Sequence, residues 1–231
     1  MARTPPRERL SALAEAATKV FGRVGYRGSR TADVAREAGM SAGSVFTYVE
    51  SKEALFHLVF AHGFGLFAEE LPPLPLPTPA PGETVALIER EMRKVPVPKM
   101  RVALEEKDPP DVGDELRGIV LERYAMLERL WPMLAVIERS AVDLPDLEAY
   151  YYGRARRSHH DQLARYLEMR AARGYLRPTP DPLLTARIVT ESITWFAWHR
   201  HEGRDALLFD DDVVRETVVE FVCAGLLEPA P

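Results

Sequence analysis

An all-α fold is what this sequence predicts, and three observations carry the expectation. Apolar residues recur at three- and four-residue spacing along most of the chain, the period of a helix with one buried face. Capping residues and glycine stops punctuate those stretches. No pair of alternating segments joined by a hairpin-type turn is found, and no internal repeat.

Taken in order, Leu10, Leu13, Ala14, Ala17, Val20, Phe21 and Val24 predict an amphipathic helix over residues 6–24. Thr4 and Pro5 suit its start, and Gly25 its end. Thr31 is expected to cap a second helix, ADVAREA, whose first-turn Asp33 complements the helix dipole and which Gly39 ends. Ser41 caps a third over Ala42 to Tyr48, and Ser51 a fourth from Lys52 to about Leu71. The next stretch, LPPLPLPTPAPGE, carries six prolines. It cannot be helix or central strand and reads as a stiff polyproline-like connection. A domain boundary is placed there, dividing 1–70 from 71–231.

Beyond it the pattern stays helical. Segments fall near 83–95 and 99–107, then 113–141 with Pro132 as an expected kink. Pro145 opens a long helix to Arg173, closed by Gly174. Asp181-Pro182 opens 182–202, and Asp210 to Asp212 begin the last helix, ending near Leu227.

The chain's 231 residues suffice for a real apolar core. One cysteine, Cys223, excludes an internal disulfide framework and fits a reducing cytoplasm. The greasiest run, Ala54 to Ala68, is broken by His57 and His62 and is too short to span a bilayer, so no membrane partner is expected. The net charge of -5 hides an asymmetry. Residues 1–60 hold nine Lys and Arg against six Asp and Glu; the rest is acidic. A basic head on an acidic body suits a protein that meets a polyanion at one end.

The third helix locates that end. Val45-Phe46-Thr47-Tyr48-Val49 has strand-like composition, yet caps and packing can hold it helical. At helical spacing Val45 and Val49 turn toward Val34, Ala35 and Ala38, while Ser44, Thr47 and Tyr48 face out. This is a helix-turn-helix, motif 31–50, with one exposed face of small and hydroxyl residues. Small residues let a backbone approach base edges, hydroxyls bond phosphates or bases, and a helix N-terminus favours a phosphate. The cations sit on the flanks, at Arg27, Arg30 and Lys52.

The segment GYRGSRTADVAREAGMSAGSVFTYVESKEALF, residues 25–56, closely resembles the DNA-binding segment of the tetracycline-repressor (TetR) family of bacterial regulators. With the first helix, the likeness covers about residues 8–65. It implies an N-terminal three-helix helix-turn-helix domain joined by helix 4 to a helical bundle that binds an effector and dimerises. It further implies a homodimeric repressor released from double-stranded operator DNA by a small molecule. Carried over by position, Thr31 meets a phosphate, and Ala42, Gly43, Ser44 and Thr47 face the major groove behind the Ser41 cap. Tyr48 contacts the backbone and Lys52 a phosphate. Phe46 departs from the family's usual tyrosine, which assigns it to packing or apolar contact.

The rival reading is an all-α ligand-binding protein or enzyme with an incidental helical hairpin. The histidines do not support a metal, because neither His159-His160 nor His199 with His201 has the spacing that puts two ligands on one helical face. No cofactor or catalytic residue is expected, and Cys223 lies in an apolar run. Candidate effector-pocket residues are Tyr124, Met126, Trp131, Met133, Tyr166, Met169, Trp195 and Trp198, with Thr194 or Arg123 as polar contacts, which suits a bulky, largely apolar effector. The last two helices are apolar nearly all round and need cover on both sides. Ile188, Val189, Phe196, Val214, Val218 and Phe221 are therefore expected at a two-fold interface.

Overall fold

The computed structural model of the chain describes residues 6–106, 108–203 and 208–227. Among these, helices are the only extended elements, with two isolated bridges, Val49 to Leu76 and Leu176 to Leu227. The expected cap at Thr4 and Pro5 lies outside the described residues. The chain divides into two compact units. One comprises residues up to Val95 together with Pro132–Gly153, the other Pro96–Trp131 together with the chain from Arg154.

The first unit begins with α1 (Pro6–Gly28) and α2 (Thr31–Glu37), followed by α3 (Ala42–Val45), α4 (Lys52–Gly63) and α5 (Glu83–Met92). Helical backbone in α1 breaks at Gly25, φ 74° and ψ 175°, a conformation that essentially only glycine adopts. A Cβ there would also lie 2.7 Å from the Arg139 carbonyl oxygen. Leu13, Ala17 and Phe21 of α1 are buried with Val34, Val45, Leu55 and Leu58. Phe56 stands edge-on to Phe21, Tyr26 and Phe60, centroids 5.1 to 5.3 Å apart, which fixes α4 against α1 beyond simple area burial.

Several boundaries differ from the sequence expectation, each for a local reason. Arg30, not Thr31, is the N-cap of α2: Thr31 is already helical, and the Asp33 carboxylate accepts from the Arg30 N–H. α3 stops at Val45 because the amides of Thr47 and Tyr48 donate only three residues back, to Ser44 and Val45. This tighter turn suits a β-branched and aromatic run poorly placed for regular helix. α4 ends at Gly63, not near Leu71. Gly65 (φ 74°) donates to His62 and Leu66 to Ala61, a Schellman closure that satisfies the last carbonyls. Residues 132–153 complete the unit with the last part of α7 (Val112–Ala141) and with α8 (Pro145–Tyr150).

In the second unit stand α6 (Pro98–Glu105), α7 as far as Trp131, α9 (Arg157–Ala171), α10 (Pro182–Ala197) and α11 (Asp211–Leu226). The single helix expected from Pro145 to Arg173 is interrupted by a π-helical stretch, Tyr151–Arg156. α10 closes at Ala197 and a 3₁₀ turn, His199–Glu202, replaces its expected last turn. Asp181 and Asp210 cap α10 and α11 as anticipated. At the centre is Arg170, fully buried, which donates to both Glu115 carboxylate oxygens and to the carbonyls of Ala103 and Glu106. Tyr166 donates to the same carboxylate at 3.0 Å. One side chain of α9 thus fastens α6 and α7.

Candidate nucleic-acid interface

The turn between α2 and α3 forms an exposed surface of the first unit. Gly39 (φ 63°) takes the left-handed conformation, so that it donates to Arg36 and Met40 to Ala35, which closes α2 and redirects the chain. Ser41 Oγ then accepts from the Ser44 N–H at 3.2 Å and caps α3. Val45 is fully buried and Val49 with it, as their spacing predicted.

Arg30, Ser41, Ala42, Gly43 and Thr47 are exposed, with Thr31 and Ser44 half-buried. A Cβ at Gly43 would meet nothing within 4 Å, so no packing demand explains this glycine; the bare backbone faces solvent. Thr47 Oγ1 donates to the Ser44 carbonyl at 2.7 Å, which leaves its lone pairs outward. Two side chains differ from expectation. Tyr48 is buried, because the tighter turn after Val45 rotates it inward, and Phe46 takes the outer position, 51% exposed. Phe46, assigned to packing or apolar contact, leaves about half its surface open.

Lys52 does not extend into solvent. Its ammonium donates to the Ser29 carbonyl at 2.6 Å and lies 4.5 Å above the Tyr26 ring. Burial lowers its pKa from the ordinary lysine value. Tyr26 in turn donates to Glu53 at 2.8 Å, and burial together with that carboxylate raises the phenol well above its usual value. Lys52 thus joins the start of α4 to the chain before α2, with further N–H groups beyond the one given to Ser29. One further cation, Arg9, lies near the α2–α3 turn and was not singled out from the sequence. A groove of about 400 Å³ separates Glu8, Arg9 and Ala12 from Ala38, Gly39, Met40, Ser41 and Ser44. Arg9 is exposed beside the turn between α2 and α3; its place on the polar face of the first helix was the available signal.

The second unit holds most of the expected pocket residues, at differing depths. Tyr124, Met126, Tyr166 and Trp198 are buried core. Their polar atoms are engaged within the unit: Tyr124 donates to the Phe196 carbonyl at 3.3 Å and Trp198 Nε1 to Glu202 at 2.8 Å. Trp131 stacks on His201, Met169 is half-buried and Trp195 is exposed. Thr194 donates to Thr190 in its own helix, and Arg123 donates weakly to the Met126 sulfur. Met133 belongs to the first unit, where it abuts Gly63. Among the described residues no cluster of three His, Cys, Asp or Glu could hold a metal ion, and none of the helices is long and apolar enough to cross a membrane.

The anticipated interface residues split by helical face. Val189, Val214 and Val218 are buried within their own chain and Phe196 is half-buried. Ile188 (58% exposed) and Phe221 (74%) point outward, joined by Leu184, Trp195 and Val213. α10 packs on α11, so these exposed apolar residues decorate two neighbouring helices.

Residues 13–59 match the model of the bacterial regulatory proteins, tetR family. No curated protein matches the chain. Solved structures share its helical fold. The TetR family transcriptional regulator PfmR from Thermus thermophilus is 19% identical over 92% of this chain and 97% of its own, with a TM-score of 0.55. AibR, solved in complex with isovaleryl coenzyme A and operator DNA, is 18% identical over 92% and 97%, with a TM-score of 0.52. An HlyIIR mutant is 17% identical over 99% and 100%, with a TM-score of 0.52.

Proposed function

We infer that this chain, whose residues 13–59 belong to the bacterial regulatory proteins of the tetR family, is a homodimeric repressor released from a palindromic operator by a small molecule. At the coarser level it is a ligand-responsive DNA-binding regulator, not an enzyme. One observation carries the reading: a capped helix start presents Ala42, Gly43 and Thr47 to solvent, with Arg30 exposed on its flank. We place the reading half in residues 1–70 and the effector and dimer functions in 71–231. Arg30, Thr31 and Lys52 hold phosphates, while Ala42, Gly43, Ser44, Phe46 and Thr47 meet the major groove. AibR, which carries both an acyl-coenzyme A and operator DNA on this fold, supports an effector with an apolar part.

The direct test is retardation of the DNA upstream of the chain's own gene. Arg30→Ala and Lys52→Ala should each weaken binding to every sequence and lower the salt slope by about one unit. Thr47→Ala should instead change the ranking of operator variants. An unchanged slope in both arginine and lysine variants would remove the phosphate assignments.

Regulation demands an effector that binds the DNA-incompetent state more tightly, since equal affinity for both states shifts nothing. Saturating operator should therefore weaken effector binding by the same factor by which effector weakens operator binding. Titration calorimetry with and without operator measures both. A ligand with identical affinity in the two titrations is not the inducer.

A further inference from the structure

The proline-rich segment does not lead away from the DNA-reading elements; it returns to them. After α4 closes at Gly63, Arg7 donates to the carbonyls of Ala68 and Glu69, both at 3.0 Å. Ten residues after Leu66 the chain is back at the other end of α4. There the Leu76 N–H donates to the Tyr48 carbonyl at 2.8 Å, and the Glu50 N–H donates to the Leu76 carbonyl at 3.0 Å. Two residues on, the Thr78 N–H donates to the Glu50 carboxylate at 3.0 Å and its hydroxyl to Ser51 Oγ at 2.8 Å. Ser51 Oγ is the cap of α4, accepting from the Ala54 N–H. Tyr48 and Glu50 lie in the turn between α3 and α4, where neither helix supplies these partners.

The sequence is made for this. Prolines stand at 73, 75, 77, 79 and 81, one at every second position. In extended backbone alternate N–H groups point to the same edge. Proline removes the donors at 77 and 79 and keeps those of Leu76 and Thr78, which face residues 48–51. The donor edge serves the first unit, and the blocked edge cannot recruit another strand. Fixed proline φ also lowers the entropy lost on ordering.

We propose that residues 76–78 are a positioning strap for DNA recognition, holding the end of the recognition segment to the cap of α4, with Thr78 as the positioning residue. The proposal rests on the DNA-binding reading above. On this proposal Thr78 acts through Glu50 and Ser51, so its effect must appear as orientation and not as charge.

The test compares the unmodified protein with Thr78→Val and Thr78→Ser on the DNA upstream of its own gene, at several salt concentrations. Thr78→Val removes the hydroxyl at nearly constant volume and should weaken specific binding about tenfold. Its salt slope should match that of the unmodified protein, because no phosphate contact is lost. Thr78→Ser should restore affinity. Amide exchange at Glu50 should be faster in Pro77→Gly, which frees the strap, with weaker specific binding. Unmodified affinity in both Thr78→Val and Pro77→Gly overturns the strap, as does loss of affinity in Thr78→Val with a slope reduced by about one. If the unmodified protein fails to retard the DNA at all, the regulator reading itself falls.

Discussion

Phe221→Glu should turn the protein into monomers that bind the operator at least a hundredfold more weakly, about the size of an avidity lost when two modules are uncoupled. The position is 74% exposed on α11, so a glutamate costs the folded protomer little. In a two-fold assembly it meets its own copy or the apolar face of Ile188, Leu184 and Trp195, where a buried unpaired charge is prohibitive. Ile188→Glu, exposed on α10, should behave alike. Val218→Glu is a different experiment: Val218 is buried in its own chain, so that variant reports folding. A two-fold dimer on DNA would set its two α3 helices about 34–36 Å apart, so footprints should show two half-sites one turn apart. Analytical ultracentrifugation at micromolar concentration checks the assembly. A monomeric unmodified protein, or dimers surviving both substitutions, would defeat the interface.

Arg170→Ala should be the most damaging change away from any binding surface, lowering stability by about 3 kcal/mol. Arg170 is fully buried, and its donors hold the Glu115 carboxylate and two carbonyls. Removal leaves that carboxylate and the Ala103 and Glu106 carbonyls without those donors. Glu115 is 13% exposed at its side chain, and that residual solvation keeps the cost at the lower end of the range for broken buried pairs. Urea denaturation followed by circular dichroism measures it. Arg170→Met with Glu115→Leu should recover most of the loss, because neither charge is then stranded. A single variant as stable as the unmodified protein would show that the cluster does not fasten α6, α7 and α9.

The sequence by itself determined the helical class, the caps at Ser41, Ser51, Asp181 and Asp210, and the glycine stop at Gly39. These are local effects, written within three or four residues of where they act. It also placed the turn between α2 and α3, since Gly39 and the burial of Val45 and Val49 follow from spacing. The tertiary structure decided which of two neighbours faces inward. Val189 is buried and Ile188 exposed; Tyr48 is buried and Phe46 exposed. Both members of each pair are apolar or aromatic, so periodicity alone could not choose, and packing against the adjoining helix or a tightened turn did. Distance in sequence hid the rest. Ser29 lies 23 residues before Lys52, and the strap's alternating prolines are visible in the chain although their partner, 27 and 28 residues earlier, is not. Spacing reveals an edge with donors; only the folded chain shows what they meet.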